Sequence, residues 1–292
     1  MDTFLNSFEN TLYWILNMIS FQVNWSKNYF WGLIVISFTI WMFEIFIPWR
    51  KQQKIFRKEL GLDLFYMFFN FFLFALIING VYALIGKKVH EYGLSMDSFT
   101  VINLKEFNPI LQLIIFFLVS DFFQWITHIT LHRVPFLWKF HQIHHSAKLM
   151  SFPVHFRYHW MENILYKPLK ILAIMLLGGF EPEQAYIVHF VAITIGHINH
   201  ANLKITWGPF KYIFNNPVMH LYHHAYHLPT HKKHGVNYGI SLSVWDYIFR
   251  TNYIPEVDKY VKLGFEGDDK IPKTFEKQAW VGFKPYKRPK IE

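Results

Sequence analysis

The chain of 292 residues has no cysteine. That absence excludes disulfides, thiolate-ligated haem, iron–sulfur clusters and every cysteine-based zinc site. Charge is scarce as well: 17% of residues are Asp, Glu, Lys or Arg, against 52% hydrophobic and 20% aromatic. A disordered chain needs the opposite balance. Acidic residues are the scarcer sign, 20 against 29 basic, which leaves a net charge of +9. Positive charge suits nucleic acid or an anionic membrane. Long uncharged runs decide for the membrane, and no nucleic-acid partner is expected.

Leu64 to Ile85 is 22 residues without a charge, enough to cross a hydrocarbon core of about 30 Å. Asn28 to Pro48 has Glu44 as its one charge, and Pro109 to Thr127 has Asp121. Between the first two spans lie Arg50, Lys51, Lys54, Arg57 and Lys58, and positive loops stay cytoplasmic. The third span then returns to the cytoplasm. Two shorter apolar stretches, 164–180 and 184–201, flank Gly178-Gly179 and Pro182 and read as a helical hairpin. Thr11–Val23 is apolar but short, an interfacial segment. The start carries Asp2 and Glu9 without a basic run, so no cleavable signal peptide is expected. The polar end, with Lys284-Pro285-Tyr286-Lys287-Arg288, suits a cytoplasmic surface. The expected fold is all-α: a polytopic membrane bundle of about three spanning helices plus a hairpin, with a cytoplasmic helical cap. Its parts are membrane helices over 1–127, a histidine-rich region over 128–251 that includes the 164–201 hairpin, and a tail over 252–292.

What the chain has in excess is histidine, 17 residues. His128-Ile-Thr-Leu-His132 reads HxxxH; His141-Gln-Ile-His144-His145 and His220-Leu-Tyr-His223-His224 both read HxxHH. Residues three and four apart share a helix face. Two imidazoles so placed can bind one metal ion, and the third of HxxHH can reach a neighbouring ion. Eight box histidines could thus give two metals four ligands each. Three boxes on one side of the membrane outweigh coincidence, whereas a pH-sensing cluster needs no regular spacing. Imidazole suits Zn, Cu, Fe and Ni alike. HExxH and the Glu-x-x-His of soluble di-iron bundles are both missing. The residues alone leave open an oxidase, a membrane zinc hydrolase, and a metal transporter or haem electron carrier.

The order HxxxH, HxxHH, HxxHH, with membrane helices around it, resembles the fatty acid hydroxylase / sterol desaturase superfamily. The similarity covers about 115–251. Asp121 stands seven residues before the first box, and Arg157-Tyr-His159-Trp-Met-Glu162 is similar to the family's RxHPxE, with Trp160 in place of proline. His200-Ala-Asn202 resembles its HxN element, and Asn237-Tyr238-Gly239 its NYG. Trp245-Asp246-Tyr247-Ile248-Phe249-Arg250-Thr251 resembles its closing WDRxFGT, departing at Tyr247 and Arg250. The three-residue gap of the first box fits this superfamily better than the membrane acyl desaturases.

The resemblance implies two non-haem irons (zinc as purified is an alternative), O₂ and an external electron donor. The implied reaction is hydroxylation or desaturation of a sterol, fatty acyl or related membrane lipid. The redox partner would be cytochrome b5-like, a ferredoxin or a reductase, in a bacterial inner membrane or endoplasmic reticulum. His128, His132, His141, His144, His145, His220, His223 and His224 are the expected ligands, joined by His159 and His200 from the family positions. His197 and His227 are candidate ligands or supporting groups. Asp121, Glu162, Asn199, Asn202, Asn237 and Asp246 are candidates to hold the imidazoles, Asp121 through His128. Phe68, Phe69, Phe71, Phe72 and Phe74 could line an apolar tunnel. His155, His231 and His234 are assigned to surface or structural roles, and His90 and His189 to none at the site.

Overall fold

A computed structural model describes residues 2–179, 181–232, 234–254, 258 and 260–283; the basic stretch 284–288 lies outside the described residues. The chain is a helical membrane protein, and among the described residues three segments are long and apolar enough to cross a bilayer. They are α2 (Tyr29–Phe46), the continuous helical stretch Leu60–Glu91 formed by α3 (Leu60–Phe68) and α4 (Phe74–Glu91), and α5 (Pro109–Arg133). Their outward faces carry the lipid-facing side chains, such as Phe38, Phe43 and Phe46 on α2 and Ile110, Ile114 and Leu118 on α5.

Capping fixes where these helices begin. The Asn28 side chain accepts from Trp31 N while its amide donates to the Met18 carbonyl at 3.0 Å, tying α2 to α1 (Asp2–Ile19). Asn108 caps α5, and Pro109 occupies the first turn, where no N–H is needed. α1 begins well before the apolar stretch from Thr11, because residues 2–10 add an amphipathic turn that packs along α4, with Phe4 lying over Gly80. Between α3 and α4 the helix widens for one π turn, Phe69–Leu73. A π turn inserts a residue and re-aims those beside it. Here it turns Asn70 inward, where its amide donates to the Phe156 and Tyr158 carbonyls at 3.0 and 2.9 Å.

At 25 residues α5 is about 37 Å long, so its last turns outrun the hydrocarbon. Val134 and Pro135 end it, and α6 (Pro135–His145) starts at once with proline in its first turn. The hairpin is α7 (Trp160–Leu176) and α8 (Pro182–His200), and its turn pairs β2 (Leu177–Gly178) in parallel with β1 (Ile102–Asn103). Beyond α8 the chain is mostly irregular, with short helices α9 (Pro217–His223), α10 (Val244–Ile248) and α11 (Phe275–Gln278).

Buried polar groups knit the α6 end of the bundle. Glu44, the lone charge of α2, accepts from the backbone N–H of Phe152 and Asn202 at 3.1 and 2.7 Å. Arg157 is 1% exposed and binds Glu59 and Asp63, with Arg57 on the same Asp63 carboxylate. Each buried charge therefore has its partner. The tail returns beneath this layer: Gln278 accepts from the Tyr66 hydroxyl at 2.8 Å.

Candidate metal centre

Nine histidines converge into two buried groups where α5, α6, α8 and α9 meet. One holds His128, His132, His141, His145 and His223; the other holds His144, His200, His220 and His224. Within each group the candidate ligand atoms lie within 4.8 Å of one another. The division follows helix geometry. In each HxxHH box the first and last histidines, four apart, serve one group and the middle one serves the other. His141 and His145 join the five-histidine group and His144 the four; His220 and His224 join the four and His223 the five.

Local structure aims these rings. Asn216 caps α9 by accepting from Val218 N and Met219 N, and Pro217 follows in the first turn. His128 Nδ1 donates to the Tyr238 carbonyl, His223 Nδ1 to Val236 and His200 Nδ1 to Gly196, each at 2.7 Å. His144 Nδ1 donates to the Arg157 carbonyl at 3.2 Å, and His141 Nδ1 pairs with Glu162 at 3.0 Å. A neutral imidazole has one donor and one acceptor nitrogen. With Nδ1 donating to a carbonyl, Nε2 is a bare lone pair. Burial holds His141, His144, His145, His220, His223 and His224 well below the ordinary imidazole range, and the neighbouring imidazoles add to the effect. Such burial favours the neutral imidazole, the form able to bind a metal ion.

The donor set fits metal ions. Nε2 of His132, His141, His145 and His223 is buried with no hydrogen-bond partner, an arrangement that costs free energy unless a cation takes the lone pairs. In the four-histidine group, His200 Nε2 lies 2.9 Å from His220 Nε2 and 3.2 Å from His144 Nε2. His144 and His200 both hold their proton on Nδ1, so their facing Nε2 lone pairs repel unless a cation lies between them. Neither group includes a carboxylate.

Several sequence expectations need correction. His159 lies apart from both groups: its Nε2 donates to the Ala279 carbonyl at 2.9 Å and its Nδ1 accepts from Met161 N. His197 spends its nitrogens on Ser37 and His155. His227 is exposed beside Tyr226. Asp121 does not meet His128; it accepts from Ser241 N, Leu242 N and Trp245 Nε1. Asp246 accepts from Trp125 Nε1, Tyr238 N, Gly239 N and Thr251 Oγ1. Burial pushes its carboxyl up while these four donors pull it down. Together the two aspartates pin the 238–246 loop onto α5, which sets the Tyr238 carbonyl against His128.

Among the supporting candidates, Glu162 is the one that touches a grouped imidazole. Asn199 donates to the Ile240 carbonyl, Asn237 to those of Met219 and Tyr253, and Asn202 accepts from Arg50 N. Sequence reasoning missed the carbonyls of Tyr238, Val236, Gly196 and Arg157, because any residue type carries one. It also undervalued His155, which stacks on His200 and lines the adjoining cavity.

That cavity, about 480 Å³, touches both groups through His128, His141, His144 and His200. Phe71, Phe116, Phe123 and Phe156 line it. Of the phenylalanines expected there from 68–74, Phe71 alone is among the lining residues; Phe72 is buried in the core, Phe69 packs on Phe275 and Phe74 on Trp160.

Comparison with known proteins agrees with this geometry. A fatty acid hydroxylase family model matches residues 113–251, the segment holding all nine histidines. Ornithine lipid hydroxylase OlsE of Rhizobium tropici is 28% identical over 164 residues, 56% of this chain and 48% of that protein. Sphinganine C4-monooxygenase 2 of Arabidopsis thaliana is 30% identical over 161 residues, 53% of this chain and 59% of that protein. Alkylglycerol monooxygenase of Danio rerio is 29% identical over 150 residues, 50% and 31% respectively. The chain spans about half the length of the curated relatives it matches. No solved structure matches it. The matched segment 113–251 contains all three histidine boxes, and over that segment the chain is similar to the fatty acid hydroxylase family.

Proposed function

We propose that this protein is an O₂-dependent oxidoreductase that hydroxylates, or desaturates, an unactivated C–H bond of a membrane lipid at two irons held by its nine grouped histidines. One observation carries the reading: two all-imidazole groups share a wall with a single apolar cavity in a membrane bundle. The relatives act, by their names, on ornithine lipid, sphinganine and alkylglycerol. Each is an amphiphile with a long chain, as the cavity's phenylalanine walls require of a ligand.

Iron, when bound, supplies the redox chemistry with O₂ that no side chain can. The residues do the rest. Carbonyls of Tyr238, Val236, Gly196 and Arg157 fix ring orientation and keep the proton on Nδ1. Glu162 takes the Nδ1 proton side of His141 and strengthens it as a donor. Phe71, Phe116, Phe123 and Phe156 keep water from the reacting carbon. Electrons come from a separate partner, cytochrome b5-like, a ferredoxin or a reductase. A cytoplasmic position for the centre is supported by the basic 50–58 loop, whose Arg50 joins Asn202 just past His200.

The test is metal analysis of iron-replete protein together with lipid profiling under ¹⁸O₂. Iron in both groups is expected, together with ¹⁸O label in the lipid if the reaction is hydroxylation, or an O₂-dependent double bond without label if it is desaturation. Zinc in place of iron, or a product formed without O₂, would overturn the reading.

A further inference from the structure

The cavity adjoins a second recess on α1. Trp14 and Asn79 line both the cavity and a neighbouring groove of about 630 Å³. The Tyr29 ring packs 6.0 Å from that of Trp14 and 5.5 Å from that of His189, and both residues line the cavity. His189 lies eleven residues before His200 on α8, about 16 Å of helical rise. The groove therefore meets the cavity at the end away from the imidazole groups.

Helix periodicity builds this groove. Thr3, Ser7, Asn10 and Trp14 follow one another at three- and four-residue steps, with Asn6 and Thr11 beside them, so they share one face of α1. Asp2 and Glu9 fall outside it, and among the described residues no charged side chain lines the groove. The Thr11 hydroxyl donates to the Ser7 carbonyl and accepts from the Asn79 amide at 3.3 Å, which ties α1 to α4 at the junction with the cavity. Asn6 and Asn10 are exposed, and a carboxamide both donates and accepts. Such a surface matches hydroxyl groups and offers an anion no cation. Carboxamides facing an apolar chain alone would lose their hydrogen bonds to water without replacement. Lys170 bonds His189 at 2.8 Å inside the hairpin and is not part of the groove.

We propose that the α1 groove holds the head group of the substrate, an uncharged head bearing hydroxyls, with the chain passing Trp14 and Asn79 into the cavity. Oxidation then falls on a carbon remote from the head. This rests on the lipid-oxygenase reading above and adds to it the class of head group and the direction of the chain. The groove residues all precede the matched segment 113–251. Head-group choice is thus separate in the chain from the histidine boxes.

The test is equilibrium binding of tritiated monopalmitoylglycerol, methyl palmitate and palmitate to the purified protein in phosphatidylcholine nanodiscs. The three share an acyl chain and differ in the head: hydroxyls, no hydroxyl, or a charge. Monopalmitoylglycerol is expected to bind about tenfold or more tightly than either of the others. Asn6→Ala combined with Asn10→Ala should bring it to the level of methyl palmitate while methyl palmitate itself is unchanged. Because the chain has no cysteine, Ser7→Cys supplies a single thiol in the groove, and bound monopalmitoylglycerol should slow its alkylation by a maleimide several-fold. Equal binding of monopalmitoylglycerol and methyl palmitate, or a preference that survives the double substitution, overturns the head-group site. Tighter binding of palmitate overturns the uncharged class. Should the double variant not fold, alkylation of the Ser7→Cys protein at the same rate with and without monopalmitoylglycerol overturns the site by itself. None of these measurements needs iron or O₂, so their failure leaves the oxygenase reading to its own metal and ¹⁸O₂ test. With iron-replete protein, oxidation beside the ester of monopalmitoylglycerol overturns the proposed direction.

Discussion

The two histidine groups grow from the same helices but are held differently. In the five-histidine group, the outer nitrogens of His128, His141 and His223 are anchored by carbonyls and by Glu162, and four inner Nε2 atoms stand without partners. In the four-histidine group, the inner nitrogens crowd at 2.9 to 3.3 Å, and Nδ1 of His220 and His224 has no partner. The first is organised from outside. The second has two rings, His144 and His200, held by carbonyls, and two, His220 and His224, with Nδ1 unpartnered. A preorganised donor set binds more tightly, so the five-histidine group should hold its metal longer.

The largest expected effect tests that difference directly. His200→Ala removes the ring around which the four-histidine group closes, and the purified protein should lose half its metal and its lipid oxidation. His223→Ala leaves four imidazoles in the other group, which should keep its metal with weakened affinity. Metal analysis of both variants checks this; equal loss would erase the distinction. Next, Glu162→Gln should weaken metal binding by about 10–100-fold at the five-histidine group alone, read by chelator competition. Smaller again, Asp246→Asn puts a donor where four donors converge and should cost about 1–3 kcal/mol of stability, seen as a lowered unfolding temperature. The smallest effect is expected at His159. His159→Gln should leave the metal content unchanged, because that ring bonds Ala279 and Met161 instead of either group.

How much of this was legible in the sequence follows from what kind of signal each part leaves. The spans were readable because an uncharged run of lipid-facing residues is a composition signal, and α2, α4 and α5 lie where composition placed them. The boxes were readable because ligands three and four apart must share a helix face. The swap at His144 and His223 followed from the same spacing, but the eight box histidines divide five and three in place of four each, and His200 brings the smaller group to four. Asp121 was read as a partner of His128 from its place on α5, yet its acceptor oxygens face a loop 120 residues on. His159 shows the limit of motif likeness: a matching position carries no information about where its nitrogens point. The polar stripe of α1 was hidden because Thr, Asn and Ser break an apolar run that composition then shortens.

The interleaving of the boxes has a mechanical consequence. Each of α6 and α9 carries ligands for both groups on one rigid turn, His141 and His145 beside His144, and His220 and His224 beside His223. The spacing of the two groups is thus a property of helical pitch, not an adjustable length. A motion that rocks either helix therefore shifts imidazoles of both groups together.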